Sequence, residues 1–546
     1  MFFSAGGALI VQAGEYSGGN EGDNIYAEKK GDAVRLTNMP DGYMIDMPPN
    51  AGFDYTRSEY VTKVYDSNYS FTISREYCPY EDYDGNMSNA LAEIYPDFQY
   101  ENFVEQYIMY YENRFLLSEE WRENNDVTLL GIEHRNIGGN RALIIRAVIE
   151  NVWKDFNEYC YCYVRVGNTR NYLRFLVKYR YEDVEFKSRL EDIWDSVRLT
   201  ETKGSGRTDV NYGPSLPADW SKETGELYGS IADSNEMNWG IYTKDIVDSG
   251  INEEIPLMES RLGRKFDYIL AYLPLDHYKD PEEASAYMDR LMTEFMDRCW
   301  QENRIVELTF QCTDNNNQYL NMKSPLLELY RTGNNDIIRQ FAKAAKKFGH
   351  PFFFRLNNEM NSDWTSYGGV VNMGDPDIFV KTWHDIYRIF REEGAHNCIW
   401  VFNPNDREAP PAKWNNSLMY YPGNEYVHMI GVTGYNNGTY YTEKMEKWRE
   451  FEEIYDKIEE DYSDIYGAFP WIITEFASSS IGGDKVAWID NMFGVLKNTH
   501  KYDNIKLAFW FSFADFDDEG NAARPYWLDE TEETLNAFKR GLDEQK

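Results

Sequence analysis

Two short stretches hold the carboxylates best placed for chemistry. Glu359 stands in Arg355-Leu-Asn-Asn-Glu-Met-Asn361, and Glu475 in Ile473-Thr-Glu-Phe476. Each closes an apolar run, Pro351–Leu356 or Trp471–Thr474, that reads as a short buried strand. Two carboxylates held about 5–5.5 Å apart suit hydrolysis of a glycosidic bond with retention. One protonates the leaving oxygen while the other attacks the anomeric carbon. Either glutamate alone reads as an ordinary surface carboxylate, so the weight lies on the pair. Other chemistries lack their residues. The seven His form no HExxH, and Cys78, Cys160, Cys162, Cys299, Cys312 and Cys398 form no CxxC. Neither a catalytic zinc nor any cofactor is expected. The thiols read as buried and unpaired.

The elements that must position the pair lie in the second part of the chain. Eight apolar runs are candidate strands: Trp239–Tyr242, Tyr268–Leu273, Ile305–Phe310, Pro351–Leu356, Cys398–Phe402, Met429–Thr433, Trp471–Thr474 and Leu507–Phe511. Helical periods separate them, clearest over Pro281–Asn303, Asp336–Phe348, Asp377–Glu393, Glu443–Tyr462, Lys485–Thr499 and Glu532–Asp543. Short, doubly buried strands alternating with helices imply parallel pairing and right-handed crossovers. Eight such units imply a (β/α)8 TIM barrel, whose chemistry sits at the C-terminal ends of the strands. Glu359 and Glu475 then end strands four and seven, on nearly opposite sides of one mouth. The acidic loop Asp515–Asn521 after strand eight lies on the same face; it lacks calcium-loop spacing and reads as solvated.

These motifs carry a family resemblance. The region of about residues 233–542 resembles glycoside hydrolase family 26, the β-mannanase family of clan A retaining enzymes. The matching stretches are RLNNEMNSDWTSYGG (355–369), GAHNCIWVFNPND (394–406), YYPGNEYVHMIGVTGYN (420–436) and ITEF (473–476). The resemblance implies that Glu359 is the acid/base and Glu475 the nucleophile. It further implies that Tyr435 hydrogen-bonds the nucleophile and that Arg355 is a fixed cation beside it. Trp364 and Trp510 match positions of aromatic sugar platforms; Tyr367, Trp400, Tyr421 and Trp527 are further aromatic candidates. Two positions depart from the family. Asn358 stands where family mannanases usually have His, and Asn-Glu is the commoner clan A pair, whose Asn bonds the sugar 2-OH. Phe310-Gln311-Cys312 replaces a common Trp-His at the end of strand three, which places Gln311 on the wall of the central subsite. Neither departure touches the nucleophile or acid, but both leave mannan open as the substrate.

Length and composition agree with such a protein. The 546 residues are 42% hydrophobic and 27% charged, which is globular. Lys and Arg total 55 against 92 Asp and Glu, a formal charge of −37. Nucleic acid and anionic membrane surfaces are excluded as partners, since both need Lys and Arg to neutralise phosphate. Lys203–Ser221, rich in Gly, Pro, Ser and Asp, reads as a linker. It divides the chain into an N-terminal tail (1–50), a smaller α+β domain (51–202), the linker (203–221) and the barrel (222–546). The tail opens on MFFSAGGALIVQAG, an apolar run too short to span a bilayer. It resembles the end of a signal-peptide core without its basic start, so a secreted or cell-surface protein is expected. In 51–202 a helix over Tyr100–Arg122 precedes four candidate strands, Val127–Ile132, Ala142–Ile149, Tyr159–Val166 and Tyr172–Tyr179, and a closing helix, Phe186–Val197. That order resembles the small α+β fold of PsbP-like and Mog1-like proteins, a likeness that carries no functional residue. Tyr107, Tyr110 and Tyr111 sit at helical spacing and read as core.

The expectation is a monomeric retaining endo-β-glycanase of mannanase type, acting on a β-linked polysaccharide without cofactor or membrane insertion. The alternative is a carbohydrate-binding protein on a catalytically weak glycosidase barrel, suggested by Asn358 and Gln311. Retention of Glu359, Glu475, Tyr435 and Arg355 argues for the enzyme.

Overall fold

The structure, a computed structural model, describes residues 24–96, 99–152, 155–275, 281–313, 323–442 and 446–545. The apolar leader Met1–Gly14 lies outside the described residues. Eight parallel strands close into a barrel in chain order: Asn238–Thr243, Tyr268–Pro274, Ile305–Gln311, Phe352–Leu356, Cys398–Phe402, Met429–Thr433, Trp471–Phe476 and Ile505–Ser512. Side chains alternate across each strand. Leu270, Phe353, Ile399, Val401, Met429, Ile472, Leu507 and Phe509 fill the interior. The alternate residues pack outward under the helices, as Phe354, Trp400 and Trp510 do. Tyr228 and Ile231, from helix Lys222–Ala232, join the interior cluster.

The helices end where their sequences say they should. Helix Asp336–Phe348 is capped by Asn335, whose side chain accepts from the amides of Ile337 and Ile338. It stops at Gly349, which takes the left-handed φ of 76° that a glycine tolerates without cost. Two of the barrel's helices depart from expectation. The segment expected from Pro281 to Asn303 is interrupted by a π-helical stretch, Leu291–Met296. The one expected from Glu443 runs over Phe451–Tyr466, and residues 443–445 lie outside the described set. No helix among the described residues is long and apolar enough to cross a membrane.

The N-terminal part is smaller and sheet-rich. Residues 1–50 were expected as a tail, but 25–47 form three antiparallel strands, Ile25–Lys30, Ala33–Asn38 and Tyr43–Met47, completed by Arg198–Leu199. Their alternation is short but real: Val34 and Leu36, then Tyr43, Ile45 and Met47, are buried. Gly31, Asp32, Asp41 and Gly42, among the Gly and Asp residues that suggested a tail, fall in the turns between these strands. A seven-stranded antiparallel sheet follows, ordered Gly52–Asp54, Thr62–Tyr65, Tyr69–Tyr77, Asn171–Tyr179, Glu158–Arg165, Asn140–Ile149, Val127–Ile137. Cys160, Cys162 and Phe175 face helix Val184–Ser196. Tyr159, Tyr161 and Tyr163 face the other way, into the core shared with the barrel. Burial on both faces explains the near-continuous apolar runs of these strands. The helix expected over Tyr100–Arg122 is broken into Phe103–Tyr107, a π turn at Ile108–Glu112, Arg114–Leu117 and Glu119–Asn124. Asn113 and Ser118 stand at its breaks, and Ser118 caps the last piece. All six cysteines are buried and unpaired.

The stretch expected as a linker has no regular structure but is fastened down. The Tyr212 amide donates to Ile465 O at 2.7 Å, and its ring stacks on Tyr421 at 4.3 Å.

Candidate active site

Glu475 reaches the mouth because strand seven bulges. Its pairing with strand six shifts between Val432 and Thr433, and its pairing with strand eight shifts between Ile473 and Phe476. One extra residue is thereby accommodated, which re-aims the side chain. Plain alternation from interior Ile472 would turn Glu475 outward and Phe476 inward; the bulge reverses both, so Phe476 packs under the helices. Three donors hold its carboxylate. Arg355 Nη1 donates to Oε1 at 2.6 Å, Asn358 Nδ2 to Oε1 at 3.4 Å and the Tyr435 hydroxyl to Oε2 at 2.8 Å.

Arg355 is itself fully buried between two acids. Its Nε lies 2.8 Å from Glu307 Oε1 and donates to Thr309 Oγ1 at 2.7 Å, and Nη1 also reaches Asn403 Oδ1 at 2.8 Å. Burial works against the guanidinium charge, but Glu307 and Glu475 outweigh it and hold the group well above its ordinary range. Glu307 is pushed up to about 7 by burial, with Arg355 opposing. Tyr435 is held protonated, far above the usual tyrosine range, by burial and by the Glu475 charge. The Arg449 Nη2 donates to Tyr435 O at 2.6 Å, and its Nη1 pairs with Asp406 at 2.5 Å, pinning the turn after strand six.

Glu359 sits on a different kind of support. The turn after strand four carries two non-glycine residues in the left-handed region, Asn357 at φ 50° and Glu359 at φ 58°. Asparagine visits this region readily; for glutamate it is strained, and such strain gathers at functional sites. The turn is held from both sides. The Asn357 amide donates to Phe310 O at 2.9 Å, its side chain accepts from the Cys312 amide at 2.7 Å, and the Glu359 amide donates to Asn403 O at 2.8 Å. Asn405 Nδ2 donates to Glu359 Oε1 at 2.5 Å and Trp364 Nε1 to Oε2 at 3.2 Å. Burial, then the negative Glu475, push the Glu359 carboxyl up to about 8, against the pull of those two donors. One carboxyl of the pair thus stays protonated near neutrality beside another that accepts three hydrogen bonds. That division suits a proton donor next to a nucleophile.

The structure brings Arg355, Asn358, Glu359, Tyr435, Glu475 and Gln311 into one mouth, with Trp364 at its rim, 49% exposed. Gln311 Nε2 donates to Asn358 Oδ1 at 3.0 Å, and the Tyr367 hydroxyl donates to the same oxygen at 3.0 Å. Those two bonds fix the Asn358 amide with its NH2 toward Glu475. Tyr367 is fully buried, so it orients Asn358 and has no face for a sugar. Trp510 is a second correction. It is 0% exposed, packs among Phe476, Trp488 and Phe538, and donates through Nε1 to Tyr526 O at 2.8 Å. The inward residue at the top of strand eight is its neighbour Phe511, which stacks on Tyr242 at 4.7 Å and meets Tyr435 edge-on at 5.9 Å. Trp400 and Tyr421 are also buried in the helical layer. Trp527 is half-buried at the rim, 6.3 Å from exposed Phe516 on the hairpin Ala514–Phe516 and Ala522–Pro525. The Asp515–Asn521 loop is the turn of that hairpin; Asp517 accepts from the amides of Glu519 and Asn521.

Sequence reasoning missed Glu307, Tyr272, Asn405 and Phe511. Glu307 carried a signal, being a charge inside the otherwise apolar run Ile305–Phe310. Asn405 lies in the NPND turn and Phe511 one residue beyond the tryptophan chosen. Tyr272 on strand two carried none. Its buried hydroxyl has no formed hydrogen bond, and its ring lies 5.5 Å from the Arg355 guanidinium. Among the described residues Glu101, Glu105 and His134 have ligand atoms within 4.8 Å of one another. They belong to the N-terminal part, where Arg141 pairs with Glu101 and His134 with Glu105.

Comparison with known proteins adds a family. Residues 312–459, which hold Arg355, Asn358, Glu359, Trp364 and Tyr435, match the model of glycosyl hydrolase family 26. A curated protein, "Endoglucanase H" of Acetivibrio thermocellus, is 29% identical over 210 residues, 38% of this chain and 21% of that protein. The chain thus spans about a fifth of the length of the curated relative it matches. Among solved structures, the catalytic domain of a Bacillus sp. JAMB-750 family 26 endo-β-1,4-mannanase is 17% identical with a TM-score of 0.45, covering 61% of this chain and 93% of that one. A family 26 β-mannanase from Bacteroides ovatus is 13% identical with a TM-score of 0.41, covering 60% and 94%. The fold rests on the closed barrel itself. With that barrel, the matched segment and the paired glutamates at its mouth, this chain resembles glycosyl hydrolase family 26.

Proposed function

We propose that the protein is a retaining β-glycanase that cleaves a β-linked polysaccharide of the mannan or glucan kind. The observation that carries this reading is the asymmetry of the glutamate pair. Glu475 is gripped by Arg355, Asn358 and Tyr435, while Glu359 binds its proton up to about pH 8. Glu475 attacks the anomeric carbon as the bond to the leaving oxygen breaks, and Glu359 delivers its proton to that oxygen. A covalent glycosyl-enzyme results. Glu359, now ionised, takes a proton from water, and the hydroxide oxygen displaces Glu475 from the sugar. Asn358, its amide fixed by Gln311 and Tyr367, presents an NH2 beside the nucleophile where a sugar hydroxyl next to the reacting carbon would lie. Phe511 and Tyr242 floor the mouth, and Trp364 offers a ring at its rim. The matched family model and the curated relative, described as an endoglucanase, support this substrate class. A polymer too large to enter a cell fits a secreted or cell-surface enzyme.

The test is product release from mannan, galactomannan, mixed-linkage glucan, xylan and a bacterial exopolysaccharide, with Glu475→Ala as blank. Glu475-dependent oligosaccharides whose newly formed ends keep the β configuration are expected. Inverted products would overturn the retaining step. Binding of a glycan with no product from folded protein would replace the enzyme by a binding protein.

A further inference from the structure

The N-terminal domain is built into the loop that carries the acid. Strand four ends at Leu356 and the next helix begins at Pro376; residues 357–375 between them hold Asn358, Glu359 and Trp364. Ties from the N-terminal domain fasten both halves of this loop. At the far end the Tyr161 hydroxyl donates to Met373 O at 2.5 Å and Arg174 Nη2 to Gly374 O at 2.7 Å. Asp375, the cap of the helix, receives Lys178 Nζ at 2.9 Å and the Tyr159 hydroxyl at 3.1 Å. At the near end one contact reaches the acid's own neighbourhood. Arg114 Nη2 donates to Asp363 Oδ2 at 2.7 Å. The next residue is Trp364, whose indole donates to Glu359.

Arg114 is placed for this by the broken helix. It follows Asn113, where the π turn Ile108–Glu112 ends, and its Nη1 donates back to Tyr110 O and Tyr111 O at 3.2 and 3.3 Å. The guanidinium lies over the rings of Tyr110 and Phe115 at 5.3 and 4.9 Å. Its side chain is 2% exposed against 26% for Asp363, so the pair is largely sheltered from water. A planar guanidinium on packed aromatic rings is a rigid donor, and a sheltered carboxylate that loses such a partner must move toward solvent. Movement of Asp363 carries Trp364 with it and changes the bond that orients Glu359.

We infer that Arg114, from the N-terminal domain, is a positioning residue for the acid/base of the barrel, acting through Asp363 and Trp364. The inference rests on the glycosidase reading above. It makes the N-terminal domain part of the catalytic apparatus.

The full-length chain is assayed as Arg114→Met, Asp363→Asn and the double variant, with Arg114→Lys as the conservative control. Each is assayed on the polysaccharide the unaltered protein cleaves and on 2,4-dinitrophenyl β-mannobioside and β-cellobioside. Dinitrophenolate leaves without a proton, so kcat/KM for these glycosides does not need the general acid. Arg114→Met and Asp363→Asn are each expected to lose about tenfold or more in kcat/KM on polysaccharide, part of the roughly 10²–10⁴-fold that a proton-transfer group supplies. On the dinitrophenyl glycosides kcat/KM should stay within about twofold, a difference no misfolded fraction produces. The alkaline limb of the polysaccharide profile should move, the double variant should be no worse than either single one, and Arg114→Lys should recover part of the loss. Asp363→Asn guards against a folding defect at the buried arginine. Equal losses on both kinds of substrate, or none on either, overturn the inference alone. An unaltered protein that cleaves neither polymer nor glycoside overturns the glycosidase reading and the inference with it.

Discussion

Glu359 is expected to shape both the activity and the stability of the protein with pH. Its carboxyl titrates near 8 in the folded chain against an ordinary 4.5, mainly through burial and the nearby Glu475. A proton donor works only while protonated, so kcat/KM on polysaccharide should fall as pH rises through about 8. The limb belongs to the coupled pair and reports it as one. The stability consequence has the same sign. A carboxyl whose folded titration point is raised contributes fully below about 4.5, and that contribution is lost as pH rises toward 8. Glu359→Gln, neutral at all pH values, is therefore expected to raise Tm at pH 8 and to lose that advantage by pH 4. A constant Tm difference across this range would contradict the assignment. For turnover, Glu475→Ala should leave none measurable, and Glu359→Ala should lower kcat by about 10²–10⁴-fold.

Elements decide which aromatic residues serve the site. Strand eight offers Phe509, Trp510 and Phe511 in succession, and alternation sends Trp510 away from the mouth. Trp510→Ala should therefore destabilise the barrel by about 3–5 kcal/mol, the usual cost of emptying a buried aromatic site, with little change in KM. Trp364→Ala should do the reverse. Half exposed, it should leave Tm nearly unchanged, raise KM by about two- to tenfold, in keeping with an aromatic contact of roughly 0.5–1.5 kcal/mol, and also lower kcat on polysaccharide through the lost bond to Glu359. Denaturation midpoints and Michaelis plots on the two variants separate the roles, and an inverted result would return Trp510 to the site. The hairpin after strand eight is an exposed aromatic arm, with Phe516 50% exposed beside Phe513 and Trp527. Phe516→Ala should weaken binding of long polymers and spare short oligosaccharides.

At the scale of the molecule the two sheets are not independent. Tyr159, Tyr161, Arg174 and Lys178 from the N-terminal sheet end on residues 373–375 of the barrel, and Glu76 accepts from the amides of Lys413 and Trp414 at 2.8 and 3.1 Å. Lys178 and Lys63 flank Asp377, holding that carboxyl far below its ordinary range. Domains joined by a large, buried and hydrogen-bonded interface lose their separate motions. Calorimetry should show one cooperative transition at neutral pH. The Asp377 contribution is present above its unfolded titration point near 3.8 and is lost as pH falls below it, so acid should loosen the interface first. Two resolved transitions at neutral pH would show the domains to be separable.

Much of this protein is local and was therefore legible in the chain. The eight strands follow from apolar runs of five or so residues, and helices Asp336–Phe348 and Pro376–Glu393 from period, caps and the glycines that stop them. The pair Glu359 and Glu475 followed because a barrel places every strand end on one face. What the chain did not show is what depends on residues distant in sequence. The bulge at Thr474 exists only against strands six and eight, so alternation alone would have turned Glu475 away. Whether an aromatic residue meets sugar or core is settled by the layer behind it, which buried Trp510 and Tyr367 and left Trp364 at the rim. The grip of Glu307 on Arg355 and of Arg114 on Asp363 joins residues 48 and 249 positions apart. Sequence determines which side chains are available and how each segment coils. Burial and pairing, which set the proton affinity of Glu359 and the aim of Glu475, are properties of the packed whole.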